Sequence, residues 1–393
     1  MRRIVIGIFV LALVSIAAFL YWRSQQRAPV ATEIVALQSA QGAEGFARVT
    51  EPRTMQFPQD HGPHFDFQTE WWYYTGNLAT ADGRRFGYQL TFFRRGITAG
   101  VPNARSSDWA TNQIYFAHFA ITDEKNDTHN EAEIFARGAA GLAGASGTPF
   151  RVWIENWSSE SLNADGSNVK LIADSLASSE QVGKMAIELE LNARKPPVVH
   201  GETGVSQKTE TVGNASYYVS FTRMPTRGTV RINGETFSVQ GNSWFDHEWG
   251  TTSLGENAAG WDWFSIQLDD NLDTRSRPST SSDERDRVSE LMFFQIRNKD
   301  GSIELLSSGT LVEPDGSTKF LKRDDVKITP QEFWTSNFSQ GKYPNKWRVQ
   351  VPSANLDLTL TPLIADQEMR VSFTYWEGAV NVVGTSNGKN MRG

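Results

Sequence analysis

Met185-Ala186-Ile187-Glu188-Leu189-Glu190-Leu191 decides the fold class. Met185, Ile187, Leu189 and Leu191 occupy every second position, with Ala186 and two glutamates between them. Successive side chains of a strand point to opposite faces, so this run buries one face and wets the other, as antiparallel sheet does. The same period of two recurs outward in both directions. It governs Phe86-Gly87-Tyr88-Gln89-Leu90-Thr91-Phe92 and residues 217–222, 347–351, 356–360 and 371–375. Turn sequences punctuate these runs: Ala81-Asp82-Gly83, Asn233-Gly234, Lys299-Asp300-Gly301, Pro314-Asp315-Gly316 and Asn387-Gly388. No long segment carries a helical period. The expected class is all-β, as sandwiches or barrels.

With 393 residues the chain exceeds one compact core. The expected divisions are 1–22 as a membrane anchor or signal segment, 23–50 as a tether, and two β units at 51–250 and 251–393. Thirteen Trp and 23 Phe demand wide spaces to fill, such as a barrel interior or a ligand cavity. A net charge of −7, with bases scattered among acids, excludes a nucleic-acid partner. The absence of cysteine excludes disulfides, thiolate metal sites and a cysteine nucleophile.

Arg2 and Arg3 precede an uncharged stretch over residues 4–22, long enough to span a bilayer as a helix. The positive flank predicts a cytoplasmic N-terminus and an exported body. The expected location is therefore the cell membrane, with the body in the periplasm or outside. The competing reading is secretion after signal cleavage near Ser15-Ile16-Ala17. Residues 272–290 are polar and read as a long hairpin loop, and the glycine-rich stretch 138–147 also reads as a loop. The run 371–383 reads as a strand whose return strand is missing, so that either the sequence is truncated or another element covers the unpaired edge.

Two motifs hold half of the six histidines. The first joins Asp60-His61-Gly62-Pro63-His64-Phe65-Asp66 to Thr69-Glu70-Trp71-Trp72-Tyr73-Tyr74. On a strand Glu70, Trp72 and Tyr74 share one face, and Trp71 and Tyr73 the other. A carboxyl among rings loses water and gains pKa, which suits Glu70 to general-acid work. Against this stands Glu70 in water at a strand mouth. His61, His64 and Asp66 are weak candidates for a metal, since no further ligands lie nearby in sequence, and none is expected. The second motif is Ser243-Trp244-Phe245-Asp246-His247-Glu248-Trp249-Gly250. Here Phe245, His247 and Trp249 share a face opposite Trp244, Asp246 and Glu248. A histidine between two rings, next to carboxylates that fix its tautomer, fits acid-base chemistry. The alternative is a packed corner. No serine elbow, phosphate loop or dinucleotide fingerprint appears.

Together these strings resemble the AttH/carotenoid 1,2-hydratase-like family of predicted secreted hydrolases. The resemblance rests on Phe57-Pro58-Gln59-Asp60-His61-Gly62, the strings at 69–76 and 243–250, Gly260-Trp261-Asp262-Trp263-Phe264 and Tyr375-Trp376-Glu377-Gly378-Ala379-Val380. It implies two tandem lipocalin-like β-barrels with the Asp-His-Glu-Trp string near their junction. One branch of the family hydrates a carotenoid double bond without a cofactor, and His247 and Trp249 fall on positions implicated there. That branch's Tyr and Asp on the next strand have no counterpart in Phe293-Phe294-Gln295-Ile296.

The expected function is thus an exported, cofactor-free enzyme that hydrates or hydrolyses an apolar, lipid-like or isoprenoid substrate. Its catalytic groups would be Asp246, His247, Glu248 and Glu70. Trp71, Trp72, Tyr74, Trp244, Trp249, Trp261 and Trp263 would hold the substrate. The alternative is a periplasmic lipid carrier that works with an ABC transporter and needs no catalytic acid.

Overall fold

The computed structural model describes residues 42–100, 107–175, 185–252, 254–255, 257–269 and 288–393. The expected anchor, most of the tether and nearly all of the 272–290 loop lie outside the described residues. Among those described, no helix is long and apolar enough to cross a membrane.

Alternation becomes sheet throughout. The first sheet is built from β1 (Thr69–Ala79), β2 (Arg85–Gly96), β3 (Gln113–Asp123), β4 (Thr128–Arg137), β5 (Ala143–Gly147), β6 (Phe150–Ile154), β7 (Trp157–Ser161), β8 (Asn168–Asp174) and β9 (Met185–Asn192). The short β10 (Val198–Val199) and β11 (Ser206–Gln207) and the long β12 (Ala215–Ile232) and β13 (Glu235–Gly250) complete it. Its path runs β4-β3-β2-β1-β13-β12-β9-β8-β7-β6-β5, with β10 and β11 both on β12. The sheet curls until β3 and β4 approach β6, which makes a nearly closed barrel. Asn233-Gly234 takes left-handed φ at both residues (51° and 86°), so a two-residue turn joins β12 to β13. A register shift between Phe221 and Met224 bends β12, which faces β10 and β11 before it and β9 after it.

The interior of this barrel is filled. Trp72, Tyr74, Phe86, Phe92 and Phe119 are buried there with the apolar face of β9, and Phe119 meets Trp157 edge-on at 5.5 Å. Among the described residues these side chains pack the inside of the first barrel.

The second half comprises β14 (Ala258–Gln267), β15 (Glu290–Asn298), β16 (Ser308–Val312) and β17 (Thr318–Lys322) as one sheet. A facing sheet holds β18 (Lys327–Thr335), β19 (Lys342–Val351), β20 (Leu356–Pro362), β23 (Val380–Ser386) and β24 (Lys389–Arg392), while β21 (Glu368–Arg370) and β22 (Thr374–Trp376) form a small hairpin. Ile266, Leu291, Phe293, Leu311, Val349 and Leu358 fill the space between the sheets. The fold is all-β with a nearly closed barrel sheet, as expected.

Four local expectations are corrected. The stretch 371–383 is not one strand but breaks at 377–379 between β22 and β23. Its edge is not unpaired: Asn387-Gly388 turns the chain into β24, and the Asp269 N–H donates to the Arg392 carbonyl at 2.7 Å. Residues 143–147 form a strand, because β6 offers an edge to pair with. The final part of the tether packs on the barrel: Phe46 and Val49 are buried, and Arg48 Nη1 donates to the Thr251 carbonyl at 3.1 Å.

Candidate functional site

A strand shows different residues to its two faces, and here the two faces of one sheet have different fates. In register, β13 lies between β1 and β12, so Tyr73, Asp246 and Ser220 form one row across three strands. The next row is Trp72, His247 and Val219, on the opposite face. On that face Trp72 enters the filled barrel, while Val219 packs with Val49, Phe67 and Trp249. From the first row, Tyr73 and Asp246 line a cavity of about 930 Å³ between the outer face of the first sheet and the second half of the chain. Trp71, Tyr73, Trp244, Asp246 and Glu248 supply one wall, and Trp261, Trp263, Trp347, Tyr375 and Glu377 supply the other.

Asp246 is almost fully buried against this cavity (3% exposed). Tyr218 Oη donates to its Oδ2 at 2.7 Å, while Trp244 Nε1 donates to Oδ1 at 2.6 Å and Ser220 Oγ donates to the same oxygen. Burial pushes its pKa up to about 7; these hydrogen bonds oppose that shift, and the Glu248 charge adds to it. Ser220 gives its proton to Asp246, so it accepts from His200 Nε2 at 2.7 Å, and His200 Nδ1 takes the Thr310 hydroxyl at 2.9 Å. Burial drives His200 down to about 3, so this imidazole is a neutral support.

Glu377 reaches the same cavity from the break between β22 and β23. Burial pushes it up to about 7, although the flanking hydroxyls of Tyr73 and Tyr375 favour its charged form. Its Oε1 is buried without a hydrogen-bond partner. Glu248 lines the cavity but is already neutralised: Lys208 Nζ lies 2.8 Å away, 4.3 Å from the centre of the Phe294 ring, and Ser216 donates to the same carboxylate oxygen.

Glu70, His247 and His64 meet on the other face, away from the cavity. Glu70 is fully buried; its Oε2 takes Arg94 Nε at 2.8 Å, and its Oε1 lies 2.9 Å from His247 Nε2 and 2.8 Å from His64 Nδ1. Burial alone would raise Glu70, but Arg94, His247 and His64 outweigh it and hold the carboxyl well below its usual range. The expected rise is thus reversed: Glu70 is an anion at the centre of a lock. His64 stacks on Trp249 at 3.9 Å and reaches Asp60 Oδ1 at 3.1 Å, which pins the 59–67 loop to the barrel mouth. His247 is sandwiched by Trp72 at 4.9 Å and Trp249 at 4.6 Å and donates from Nδ1 to the Asp60 carbonyl at 3.0 Å.

The weak metal candidates His61, His64 and Asp66 do not converge. His61 is buried among Phe57 and Phe221, burial lowers it to about 4, and Asp66 is exposed. Another set does converge: His64, Glu70 and His247 bring possible ligand atoms within 4.8 Å of one another. Arg94 already holds one oxygen of that carboxylate and brings a positive charge beside it, which makes it a poor cation site. Among the proposed substrate contacts, Trp71, Trp244, Trp261 and Trp263 line the cavity, whereas Trp72, Tyr74 and Trp249 belong to the packed face. Tyr73, Tyr218, Tyr375 and Glu377 are cavity residues that sequence reading left out. Glu377 stood in a quoted string, but only the break in its strand turns it inward.

The AttH-like family model matches residues 48–276 and 282–392. A crystal structure of an AttH candidate from Nitrosomonas europaea is 31% identical, with a TM-score of 0.72, covering 88% of this chain and 97% of that one. Kievitone hydratase from Nectria haematococca shares the fold at 16% identity and a TM-score of 0.60, covering 90% of this chain and 95% of that one. No curated protein matches the chain in sequence. Family strings, barrel and two-half architecture agree, and the chain belongs to the AttH-like family.

Proposed function

We propose that this protein is an exported, membrane-tethered enzyme that adds water to, or hydrolyses, an apolar isoprenoid or lipid-like substrate held in the cavity between its halves. The observation that carries this reading is a pair of carboxyls, Asp246 and Glu377, one from each half, facing one aromatic cavity with pKa near 7. At neutral pH such a pair spends much of its time with one member protonated and the other charged, the division of labour that acid-base addition requires. In a hydration, the protonated carboxyl gives its proton to an alkene carbon. The electron-deficient carbon then lies against ring faces such as those of Trp71 and Trp263. Water adds to it and loses a proton to the second carboxylate, so the proton count closes. The first barrel contributes Asp246 and the wall around it from its outer face. A membrane tether keeps the cavity near a lipidic source.

Small molecules that co-purify with the detergent-extracted protein name the substrate class by mass spectrometry, and that compound becomes the assay. Asp246→Asn and Glu377→Gln each lower turnover by about 10²-fold or more and leave binding within a few-fold. Full turnover in both variants refutes the reading. Tight binding without turnover in the unaltered protein gives the carrier, with a transporter as its partner, instead.

A further inference from the structure

The row that contains Asp246 does not end at β1. Tyr73 pairs with Thr91 on β2, Thr91 with His118 on β3, and His118 with Glu133 on β4, all on the face that meets the second half of the chain. His118 is fully buried, yet both of its ring nitrogens are engaged. Its Nε2 lies 2.8 Å from Glu133 Oε1 and its Nδ1 lies 2.9 Å from Tyr375 Oη. The Tyr375 hydroxyl lies against the Glu377 carboxyl. At the other end Glu133 is 15% exposed, where the Ser372 N–H donates to its Oε2 at 3.0 Å and Ser372 Oγ to its Oε1 at 2.6 Å. Phe93, Phe116 and Phe373 ring the imidazole within 5.6 Å and keep water from short-circuiting it.

We propose that Glu133, His118 and Tyr375 form a proton relay that joins Glu377 in the cavity to water at the outer edge of the sheet, with His118 changing tautomer at each passage. The proposal rests on the reading of Glu377 as an acid-base group and says how that group is reset. Donor and acceptor rules fix the states. With Glu133 ionised, His118 holds its proton on Nε2, Nδ1 accepts from the Tyr375 hydroxyl, and the Tyr375 oxygen accepts from protonated Glu377. To empty the relay, Glu377 passes its proton to Tyr375, Tyr375 passes one to Nδ1 and Nε2 passes one to Glu133, which releases it to water. In that state His118 holds its proton on Nδ1 and donates to Tyr375 Oη, which donates to the Glu377 carboxylate. To refill it, Glu133 takes a proton from water and passes it to Nε2, Nδ1 passes one to Tyr375, and Tyr375 passes one to Glu377. One proton has moved from edge to cavity, and each intermediate group ends neutral. His118 and Tyr375 act only through Glu377, so they are positioning residues.

A structural clamp, which ties β22 to β3 and does nothing else, would use the same contacts. The two differ in whether His118 senses Glu377. Among the described residues the titratable groups that face His118 are Glu133 and Tyr375, and those that face Glu377 are Tyr73 and Tyr375. The test follows the nitrogen shifts of His118 in the full chain, labelled with ¹⁵N-histidine in detergent, from pH 5 to 9, with no ligand added. Difference infrared spectra of the carboxylic C=O band follow Glu377 in parallel. The expected result is an Nε2–H tautomer at pH 5 and a step in the Nδ1 shift with the midpoint of Glu377. Glu377→Gln removes that step. Tyr375→Phe keeps the infrared titration but loses the step at His118, and it removes too little volume to endanger folding. A His118 signal with no step at that midpoint, or with the same step in either variant, overturns the relay. Because no substrate is present, that failure leaves the proposed reaction standing, and only the turnover of Glu377→Gln decides the reaction.

Discussion

Replacing Asp246 by Asn should make the protein less sensitive to alkali, and the size of the effect follows from its burial. The folded-state pKa of Asp246 is raised from 3.8 to about 7, so the native state binds its proton more tightly than the unfolded chain does. The unfolded carboxyl is already ionised at pH 5, whereas the native one is not. Stability therefore falls as pH rises through the window up to about 7, then levels off. Between pH 5 and 8 the native state crosses about two units below its pKa. At about 1.4 kcal/mol per unit this is a loss of about 3 kcal/mol that Asn cannot show. The amide also disturbs the donors from Tyr218, Trp244 and Ser220, but that cost is the same at both pH values and cancels in the comparison. The assay is urea unfolding of both proteins at pH 5 and pH 8. The expected outcome is an unaltered protein that loses about 3 kcal/mol relative to Asp246→Asn on going to pH 8. A gap between the two proteins that is equal at both pH values refutes the reasoning, because Asp246 would then titrate as an ordinary surface acid.

Arg94→Met should cost about 3–5 kcal/mol in denaturant unfolding, since Glu70 is left fully buried without its cation; unchanged stability would mean that the lock on the barrel mouth carries no load. Trp263→Ala should weaken a hydrophobic fluorescent probe about 10-fold or more at little cost to folding, because Trp263 walls the cavity beside Tyr73. Trp249→Ala should do the reverse, costing about 3–5 kcal/mol of stability with unchanged probe affinity per folded molecule. Identical behaviour of the two tryptophan variants in a titration and melt would erase the distinction between the two faces.

Period two told this fold class plainly, because the pleat transmits itself to sequence one residue at a time: β9 and β2 fall where Met185–Leu191 and Phe86–Phe92 alternate. It also separated Trp72 from Trp71 and His247 from Asp246 correctly. What it could not say was which face meets a packed interior and which a hollow, since both faces are aromatic and both are out of water. Glu70 shows the limit most clearly. Its neighbours in sequence are rings, but its neighbours in space are Arg94 and two imidazoles, 24 or more residues away for Arg94 and His247. Glu377 shows the opposite case. Its character depends on a broken strand and on Tyr73, more than half the chain away, and no local pattern announces either.

Asp246 and Glu377 owe their unusual protonation to burial where the two halves meet, a seam that Gln267 Nε2 fastens by donating to the Thr222 and Ser243 carbonyls at 2.7 and 3.0 Å and Glu290 by gripping Arg223 and Lys195 at 2.8 and 2.7 Å. Let the seam open, and solvent returns both groups to everyday acids with nothing to offer an alkene. A nascent chain accordingly lacks this pair of raised carboxyls until its last strands arrive.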